Sequence, residues 1–319
     1  MEKHLASIDV GSHTARLLIV RASGDTGGMR QLVRKRVYIR LAEGFDTSRN
    51  KIIQPEAMAR ALDAVWGFSR DVGRFDVSQI RAVATGVVRE ATNGKEFLDR
   101  ILERAGVRVR LISGAEEALL TAKGALHPLK LPPDAFLVFD LGGGSTEFFF
   151  GSAGATTVRS VPLGAVILKT QYLKSDPPKS SEVDALSKHV DRCLEESKPE
   201  VSTFPNGFFV VGTGGTVTTL AAMIHDVPPE EITPERMNGL VLGRQEIETL
   251  FGEIRNLSVE QIGKLPGLDE GRADVMVAGS LAAIRILHFC GAHHMTVSLS
   301  DLLEGIVIKH LTGERNDSE

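Results

Sequence analysis

The chain has 319 residues, of which 42% are hydrophobic and 24% are charged, and its formal net charge is −4 at pH 7. This length supports two domains with substantial cores, and the composition excludes a mainly disordered protein. The negative net charge argues against broad, sequence-independent binding to nucleic acid, so we expect no nucleic-acid partner.

The first part of the chain predicts a β-meander followed by alternating helices and strands. Runs rich in Ile, Val and Leu, separated by glycine-containing turns, predict strands at 5–9, 16–21 and 31–41. The spacing of apolar residues then predicts helices at 55–73, 94–105 and 115–126 and strands at 79–85 and 107–112. In the second of these helices we expect Phe97, Ile101 and Leu102 to face inward.

Residues 127–134 contain three prolines and have the composition of a hinge or linker. The same order of elements then begins again. The predicted strands are 135–140, 146–151, 156–161, 207–211 and 295–299, and the predicted helices are 164–173, 181–198, 216–224, 244–256, 272–290 and 301–311. This alternation indicates α/β lobes in which helices cover mixed sheets. We expect an N-terminal lobe at 1–126 and a C-terminal lobe at 127–319, with the last helix at about 301–311 able to pack back on the first lobe.

Neither a membrane segment nor a cysteine framework is expected. No apolar run reaches the roughly 18 to 20 residues that a membrane span needs, and the charged start at 1–4 leads into a strand without a signal-peptide pattern. We therefore expect a cytoplasmic protein with no membrane partner. Cys193 and Cys290 lie far apart and outside any metal-binding spacing, so we expect both to be reduced and structural.

Two glycine turns carry the main functional signal. In the segments 8–12 and 139–147, an apolar strand ends in Asp and is followed by glycine and a hydroxyl residue. Glycine allows consecutive backbone N–H groups to point at one anion, and the strand-end carboxylate can hold a hard divalent cation beside it. The repeat predicts two related lobes that close on a phosphate chain from opposite sides, and hence an enzyme.

A third glycine turn, at 212–216, joins an apolar strand to a helix. It could place amide donors and a Thr213 or Thr216 hydroxyl at a helix N-terminus, where the helix dipole favours an anion. The turn matches neither GxGxxG nor a P-loop, and taken alone it is also typical of a purely structural turn.

The three turns together resemble the two phosphate motifs and the nucleotide motif of the actin, heat-shock-70 and sugar-kinase ATPase superfamily. Within that superfamily the chain resembles the exopolyphosphatase/guanosine pentaphosphate phosphohydrolase family, in its short, two-domain form. The resemblance runs from residue 5 to about 310, and its supporting segments are 84–94, 112–118, 142–147, 265–267 and 272–275. It implies an α/β fold with two actin-like (ribonuclease H-like) lobes, mixed sheets flanked by helices, an active-site cleft between the lobes, and a homodimer.

Removal of a terminal phosphate needs an aligned water, a base near it, and positive charge around the transferred group. The resemblance assigns Glu117 as the catalytic base and Arg89 as the cation for the terminal phosphate. On composition alone, Glu117 is also typical of a carboxylate that complements a helix N-terminus. Arg272 is a weaker phosphate-binding candidate, because it could equally cap a helix or bridge carboxylates. Basic residues at 34–36 and Arg40 follow the first glycine turn and allow a local basic groove, although most such side chains belong to solvated faces.

Asp140 and Glu147 are the predicted metal carboxylates, because the intervening glycine turn reverses the chain and can bring both toward one site. Mg²⁺, or another divalent cation, prefers oxygen ligands and retains waters, so two carboxylates and substrate oxygens would suffice. Asp9 could contribute through a water molecule. The predicted phosphate-binding residues are Gly11, Ser12, Gly142, Gly143, Gly144, Ser145, Gly212, Thr213, Gly214, Gly215 and Arg272.

Two residues depart from the family pattern. His13 stands where the family commonly has Asn, and Leu303 stands where it usually has Arg, which weakens any role of that segment in gripping a polyanion. The residues and the resemblance predict metal-dependent release of orthophosphate from the end of inorganic polyphosphate. The close alternative is hydrolysis of guanosine pentaphosphate. An ATP-dependent kinase of the superfamily and a non-catalytic polyphosphate or alarmone sensor are the alternatives from other classes.

Overall fold

The computed structural model describes residues 2–23, 28–45, 51–129, 135–152, 155–197 and 208–313. Contacts within the chain divide it into two compact units, Met1–Gly124 together with Leu302–Glu319, and Ala125–Asp301. This division assigns the last helix to the first unit, whereas the two-lobe division at residue 126 grouped it with the second, and the domain limits stay a prediction. Most of the predicted linker, 130–134, lies outside the described residues.

Eleven strands form the two sheets of the described chain. They are β1 (Glu2–Val10), β2 (Thr14–Ser23), β3 (Gly28–Tyr38), β4 (Val77–Ala84), β5 (Val109–Leu111), β6 (Ala135–Leu141), β7 (Thr146–Ser152), β8 (Ala155–Val161), β9 (Phe209–Thr213), β10 (Val241–Gly243) and β11 (His294–Val297).

The α-helices of the described chain cover these sheets. They are α1 (Pro55–Val72), α2 (Gly86–Glu90), α3 (Gly94–Ala105), α4 (Gly114–Leu126), α5 (Ala165–Tyr172), α6 (Ser180–Glu196), α7 (Gly215–Ile224), α8 (Pro234–Met237), α9 (Arg244–Ile254), α10 (Val259–Ile262), α11 (Met276–Phe289) and α12 (Leu302–Leu311). None of the helices in the described ranges is long and apolar enough to cross a membrane.

The two sheets repeat one topology. The sheet of the first unit has the order β3-β2-β1-β4-β5, and that of the second has β8-β7-β6-β9-β11-β10. In each sheet, the first three strands in sequence form an antiparallel meander. The fourth strand in sequence, β4 or β9, pairs in parallel with the first, β1 or β6. The predicted meanders and mixed sheets are therefore confirmed, and the second sheet adds β10 at its edge.

Apolar side chains place the last helix in the first unit. Leu303 and Val307 of α12 are buried against Leu5, Leu18 and Val20 of β1 and β2. A second cluster joins Leu302 and Ile306 to residues of β4 and α4. Leu303 is therefore a core residue of this unit.

A larger core fills the second unit. Buried residues of β6, β9, α7 and α11 contribute to it, including Phe139, Val210, Leu220 and Leu287. Helix α11 is shorter than the predicted helix 272–290, because Glu270–Val275 form a 3₁₀ turn before it. This turn carries Arg272.

One inward-facing prediction was wrong. Phe97 and Ile101 of α3 are buried, but Leu102 is 38% exposed. The buried face of α3 follows the spacing i, i+4 and i+8 through Phe97, Ile101 and Ala105, and Leu102 lies about 100° around the helix from Ile101.

Candidate functional site

The first glycine turn joins β1 to β2 and is closed by a hydrogen bond from the Gly11 amide to the Thr14 carbonyl, 3.0 Å long. The Ser12 hydroxyl oxygen accepts a 3.1 Å hydrogen bond from the Val87 amide at the start of α2. Gly86 precedes that amide with φ of +49°, and a Cβ there would overlap the Ser12 hydroxyl. The β4–α2 connection therefore fixes the position of Ser12.

The strand-end carboxylate of this unit is already paired with a cation. Asp9 lies directly opposite Arg16 in the β1–β2 ladder. Its Oδ2 accepts hydrogen bonds from Arg16 Nε at 3.0 Å and Nη2 at 2.7 Å. A guanidinium on this oxygen competes with a metal ion, so the geometry favours a phosphate turn over a metal site in this unit. The predicted water-mediated metal contact of Asp9 stays a prediction.

The predicted base and the predicted catalytic cation form an ion pair. Arg89 lies in α2, Glu117 lies in the first turn of α4, and Arg89 Nη1 is 3.1 Å from Glu117 Oε2. Arg89 Nη1 also donates to the Ile112 carbonyl at 3.2 Å. Only 8% of the Glu117 side chain is exposed. A neighbouring guanidinium favours the charged form of a carboxylate, and the charged form is the one that a general base requires.

The neighbouring carboxylate, Glu116, serves the packing of the unit. It forms two hydrogen bonds with Arg110, of 2.7 and 2.6 Å, and lies 3.4 Å from Lys309 of α12. The hydrogen bonds to Arg110 lower the pKa of Glu116 from its ordinary value. Its backbone amide donates to the Ser113 hydroxyl, which caps α4.

In the second unit, four oxygen-bearing side chains form one row across the sheet. Asp140 on β6 lies directly opposite Glu147 on β7 and Thr213 on β9, and Glu147 lies opposite Ser160 on β8. Directly opposed residues of neighbouring strands share a face of the sheet. The glycine turn thus brings the two predicted metal carboxylates onto one face.

Two serine hydroxyls orient Glu147. Its Oε1 accepts hydrogen bonds from the hydroxyls of Ser145 and Ser160, both 2.7 Å long. Ser145 was predicted from the sequence to bind phosphate, and Ser160 was not among the predicted site residues. The available signal was the β7–β8 hairpin, whose register places Ser160 opposite Glu147.

The glycine turn 142–145 presents unused amides. Its carbonyls accept from the start of α5, with Ala165 donating to Gly142 at 2.9 Å and Val166 donating to Gly143 at 3.0 Å. The amides of Gly143, Gly144 and Ser145 donate to no group within the described ranges. Consecutive amides of this kind form an anion-binding concavity. Gly164, which the sequence analysis did not single out, packs directly against the backbone of this turn.

The third glycine turn lies beside Asp140. Gly214 has φ of +91°, and a Cβ there would overlap Asp140 Oδ1. A Cβ on Gly215 would overlap the guanidinium of Arg272, which is buried. Thr213 is also buried, and its hydroxyl has no hydrogen-bond partner among the described residues. The structure therefore brings Arg272 and the third turn to the row that contains Asp140. The sequence alone offered only weak support for either as a phosphate-binding group.

The donor set of this row fits a magnesium ion. Asp140 and Glu147 would supply carboxylate oxygens, and the hydroxyl of Thr213 is a further oxygen on the same face. Mg²⁺ binds through one or two carboxylates while keeping several waters. The described part of the chain contains no group of three or more His, Cys, Asp or Glu side chains that could hold a metal ion.

His13 contacts the aromatic ring of Tyr38, in an edge-on arrangement with 5.3 Å between the ring centroids. Its carbonyl accepts from the amides of Ile39 and Arg40. The imidazole is buried, so in this chain the position of the family's Asn is occupied by a packed ring.

Comparisons with known proteins agree with this fold. The sequence model of the Ppx/GppA phosphatase family matches residues 19–314. Exopolyphosphatase 2 of Mycobacterium tuberculosis is 31% identical over 320 residues, which cover 95% of this chain and 97% of that protein. The bifunctional 3-dehydroquinate synthase/phosphatase of Fusobacterium nucleatum is 28% identical over 95% of this chain, but the chain spans only 46% of that protein.

Solved structures give the same family. The crystal structure of an exopolyphosphatase from Cytophaga hutchinsonii superposes with a TM-score of 0.88 at 26% identity and covers 98% of this chain and 99% of that chain. The chain belongs to the Ppx/GppA phosphatase family. Membership in this family and the names of these relatives support an enzyme that hydrolyses phosphoanhydride bonds.

Proposed function

We propose that the chain is an exopolyphosphatase, which hydrolyses the terminal phosphoanhydride bond of inorganic polyphosphate and releases orthophosphate. The observation that carries the proposal is the 3.1 Å ion pair between Glu117 and Arg89 in a chain of this family. The similarity to an exopolyphosphatase along nearly the whole of both chains supports the choice of substrate.

In the proposed reaction, Glu117 accepts a proton from a water molecule as the water oxygen attacks the terminal phosphorus. A new P–O bond forms, the bridging P–O bond breaks, and the shortened chain leaves as a phosphate anion. Arg89 stabilises the negative charge on the transferred phosphoryl group, since a guanidinium fork matches phosphate oxygens. The amides of Gly143, Gly144 and Ser145 bind phosphate oxygens of the substrate.

The remaining groups of the second unit offset the negative charge of the phosphates or orient the side chains that do so. Asp140 and Glu147 would hold Mg²⁺, which would neutralise phosphate charge when it is bound. Ser145 and Ser160 orient Glu147 through hydrogen bonds to its Oε1. Arg272, against the start of α7, adds positive charge where the helix dipole already favours an anion.

Guanosine pentaphosphate is the second candidate substrate, because hydrolysis of its terminal phosphoanhydride uses the same groups. A superfamily kinase would consume ATP only with an acceptor, and the Glu117–Arg89 pair favours water as the nucleophile instead. A sensor would bind polyphosphate without releasing phosphate. The proposal includes the homodimer implied by the family resemblance, which sedimentation analysis tests.

Orthophosphate release tests these functions directly. The purified chain is assayed with Mg²⁺ on long-chain polyphosphate, guanosine pentaphosphate and ATP at matched concentrations of terminal phosphate. Preferential release from polyphosphate supports the proposal, and preference for the guanosine substrate selects the second candidate. A folded chain that binds polyphosphate and releases nothing is a sensor.

The substitution Glu117→Gln tests the base. Gln keeps the size of the side chain and removes the proton acceptor, so we expect kcat to fall by about 10²- to 10⁴-fold while the Kd for polyphosphate changes little. The matched control is Glu116→Gln, since Glu116 is the adjacent carboxylate and is paired with Arg110. Wild-type kcat in the Glu117 variant would remove Glu117 from the mechanism.

A further inference from the structure

The basic residues that follow the first glycine turn have different environments. Arg34 forms an ion pair with Glu304 on α12, and Lys35 Nζ is 2.6 Å from Asp71 on α1. The Arg36 guanidinium lies 5.4 Å from the centroid of the Tyr38 ring. The Arg40 side chain forms no ion pair or hydrogen bond within the described ranges, although it is partly buried. Arg40 is thus a cation held near the protein surface without a neutralising carboxylate in that part of the chain.

The backbone of Arg40 adopts a conformation that is unusual for its residue type. Its φ is +49°, in the left-handed region. The other described non-glycine residue with positive φ is Asp226, which follows the end of α7, where left-handed residues are common. Arg40 ends no helix, so its conformation must be imposed by its surroundings.

Hydrogen bonds to the first glycine turn impose that conformation. The Arg40 amide donates to the His13 carbonyl at 2.9 Å, and the Ala42 amide donates to the Ser12 carbonyl at 3.0 Å. Arg60 Nε donates at 3.1 Å to the Ile39 carbonyl, which belongs to the same peptide unit as the Arg40 amide. The loop is therefore attached to Ser12 and His13, and it holds Arg40 beside the proposed phosphate-binding turn.

We propose that Arg40 binds an internal phosphate of the polyphosphate chain, next to the phosphate that contacts the Ser12 turn. This inference rests on the proposed function and adds a polyanion-binding residue to it. A guanidinium offers paired donors that match phosphate oxygens, and binding a phosphate supplies the negative charge that the described residues around Arg40 lack. Because Arg40 contacts a part of the substrate that does not react, it contributes to substrate binding and leaves the chemical step unchanged.

The test compares Arg40→Gln and Arg40→Gly with the wild type. We expect both variants to raise the KM and the Kd for long-chain polyphosphate by about 10-fold, the loss of roughly one charged hydrogen-bonded contact, with kcat within about 2-fold of wild type. The dependence of log Kd on log salt concentration should also become shallower, because one phosphate contact is lost. Arg40→Lys retains the charge and should recover part of the affinity.

Two controls separate binding from folding. Arg108→Gln removes an exposed guanidinium of the same unit that, like Arg40, has no carboxylate partner among the described residues, and it should leave the KM and the salt dependence unchanged. Glycine adopts positive φ without strain, so Arg40→Gly should keep or raise the melting temperature while still weakening binding.

The outcomes distinguish this inference from the proposed function. Wild-type orthophosphate release tests the proposed function, and the calorimetric Kd for polyphosphate tests Arg40 whether or not the chain turns over. Wild-type Kd and salt dependence in both variants would overturn the role of Arg40. A Kd that rises in Arg40→Gln but is normal in Arg40→Gly would also overturn it, because the effect would then come from the backbone.

Discussion

At the scale of single residues, equivalent hairpin positions carry different charges in the two units. The first position of each pair is an aspartate, Asp9 or Asp140, and the opposed position is Arg16 in the first unit and Glu147 in the second. A carboxylate neutralised by a guanidinium attracts a metal ion weakly, whereas two opposed carboxylates on one face can both supply oxygens to one cation. This difference is a reason to propose the metal site at Asp140 and Glu147 of the second unit.

The cysteines give a prediction at this scale. Burial raises the pKa of Cys290 to about 12, and it also raises the pKa of Cys193. Because the thiolate is the reactive form, both thiols of the native chain should react with Ellman's reagent at pH 8 at least about 100-fold more slowly than in urea. Rapid labelling of both thiols without unfolding would contradict this burial.

The same pKa shift sets a direction for stability. The folded chain keeps the Cys290 thiol protonated above its ordinary pKa of about 9, where the unfolded chain loses the proton. The contribution of this thiol to stability is therefore fully present below pH 9 and decreases as the pH rises from about 9 toward 12.

At the scale of elements, the crossing of α12 and α4 is unusually close. A Cβ on Gly305 of α12 would overlap the Leu120 carbonyl of α4. The two helices also share the buried side chains of Leu120, Leu302 and Ile306. Close approach of the two backbones therefore requires glycine at position 305.

The substitution Gly305→Ala tests this crossing. We expect it to lower the free energy of unfolding by about 1 to 3 kcal/mol, because the added methyl group forces the helices apart. Gly252→Ala is the matched control, since Gly252 lies in α9 with open space around a built Cβ, and it should stabilise the chain by up to about 1 kcal/mol. Urea unfolding measures both, and equal effects of the two substitutions would contradict the close crossing.

The elements that the sequence did not predict are short. Helices α2, α8 and α10 have four or five residues, and β10 has three. A segment of this length does not complete enough turns or alternations to show a periodic apolar pattern. Helix α2 matters most, because it carries Arg89 and its start fixes Ser12.

At the scale of the whole molecule, the first unit is assembled from both ends of the chain. Its sheet begins at β1, and its core is completed by Leu303 and Val307 of α12. The second unit lies between these segments in sequence. Folding of the first unit therefore depends on residues that are separated by about the length of the chain.

Truncation after Asp301 tests this dependence. Removing α12 exposes Leu5, Leu18 and Val20, so the truncated chain should aggregate or lose the hydrogen-exchange protection of β1 and β2, while β6 and β9 stay protected. The comparison uses the full-length chain under the same conditions. A monomeric truncated chain with full protection of β1 would show that α12 is dispensable.

Much of the architecture and some of the site could be predicted from the sequence alone. The meanders, the long helices and the three glycine turns follow from short contiguous patterns, because periodicity and turn chemistry act between near neighbours. The same motifs were sufficient for the family resemblance, which the family comparison confirms. They also identified Asp140, Glu147, Glu117 and Arg89 as candidates.

Only the tertiary structure decided how these candidates are partnered. The pairing of Glu117 with Arg89, of Asp9 with Arg16, and of Glu147 with Ser160 depends on strand register and helix packing. The pairing of Arg34 likewise depends on Glu304 of α12, which lies 270 residues away in sequence, whereas Arg40 has no carboxylate partner among the described residues. Charges and hydrogen bonds act through space over a few ångströms, and the separations between these side chains exist only once the chain has folded.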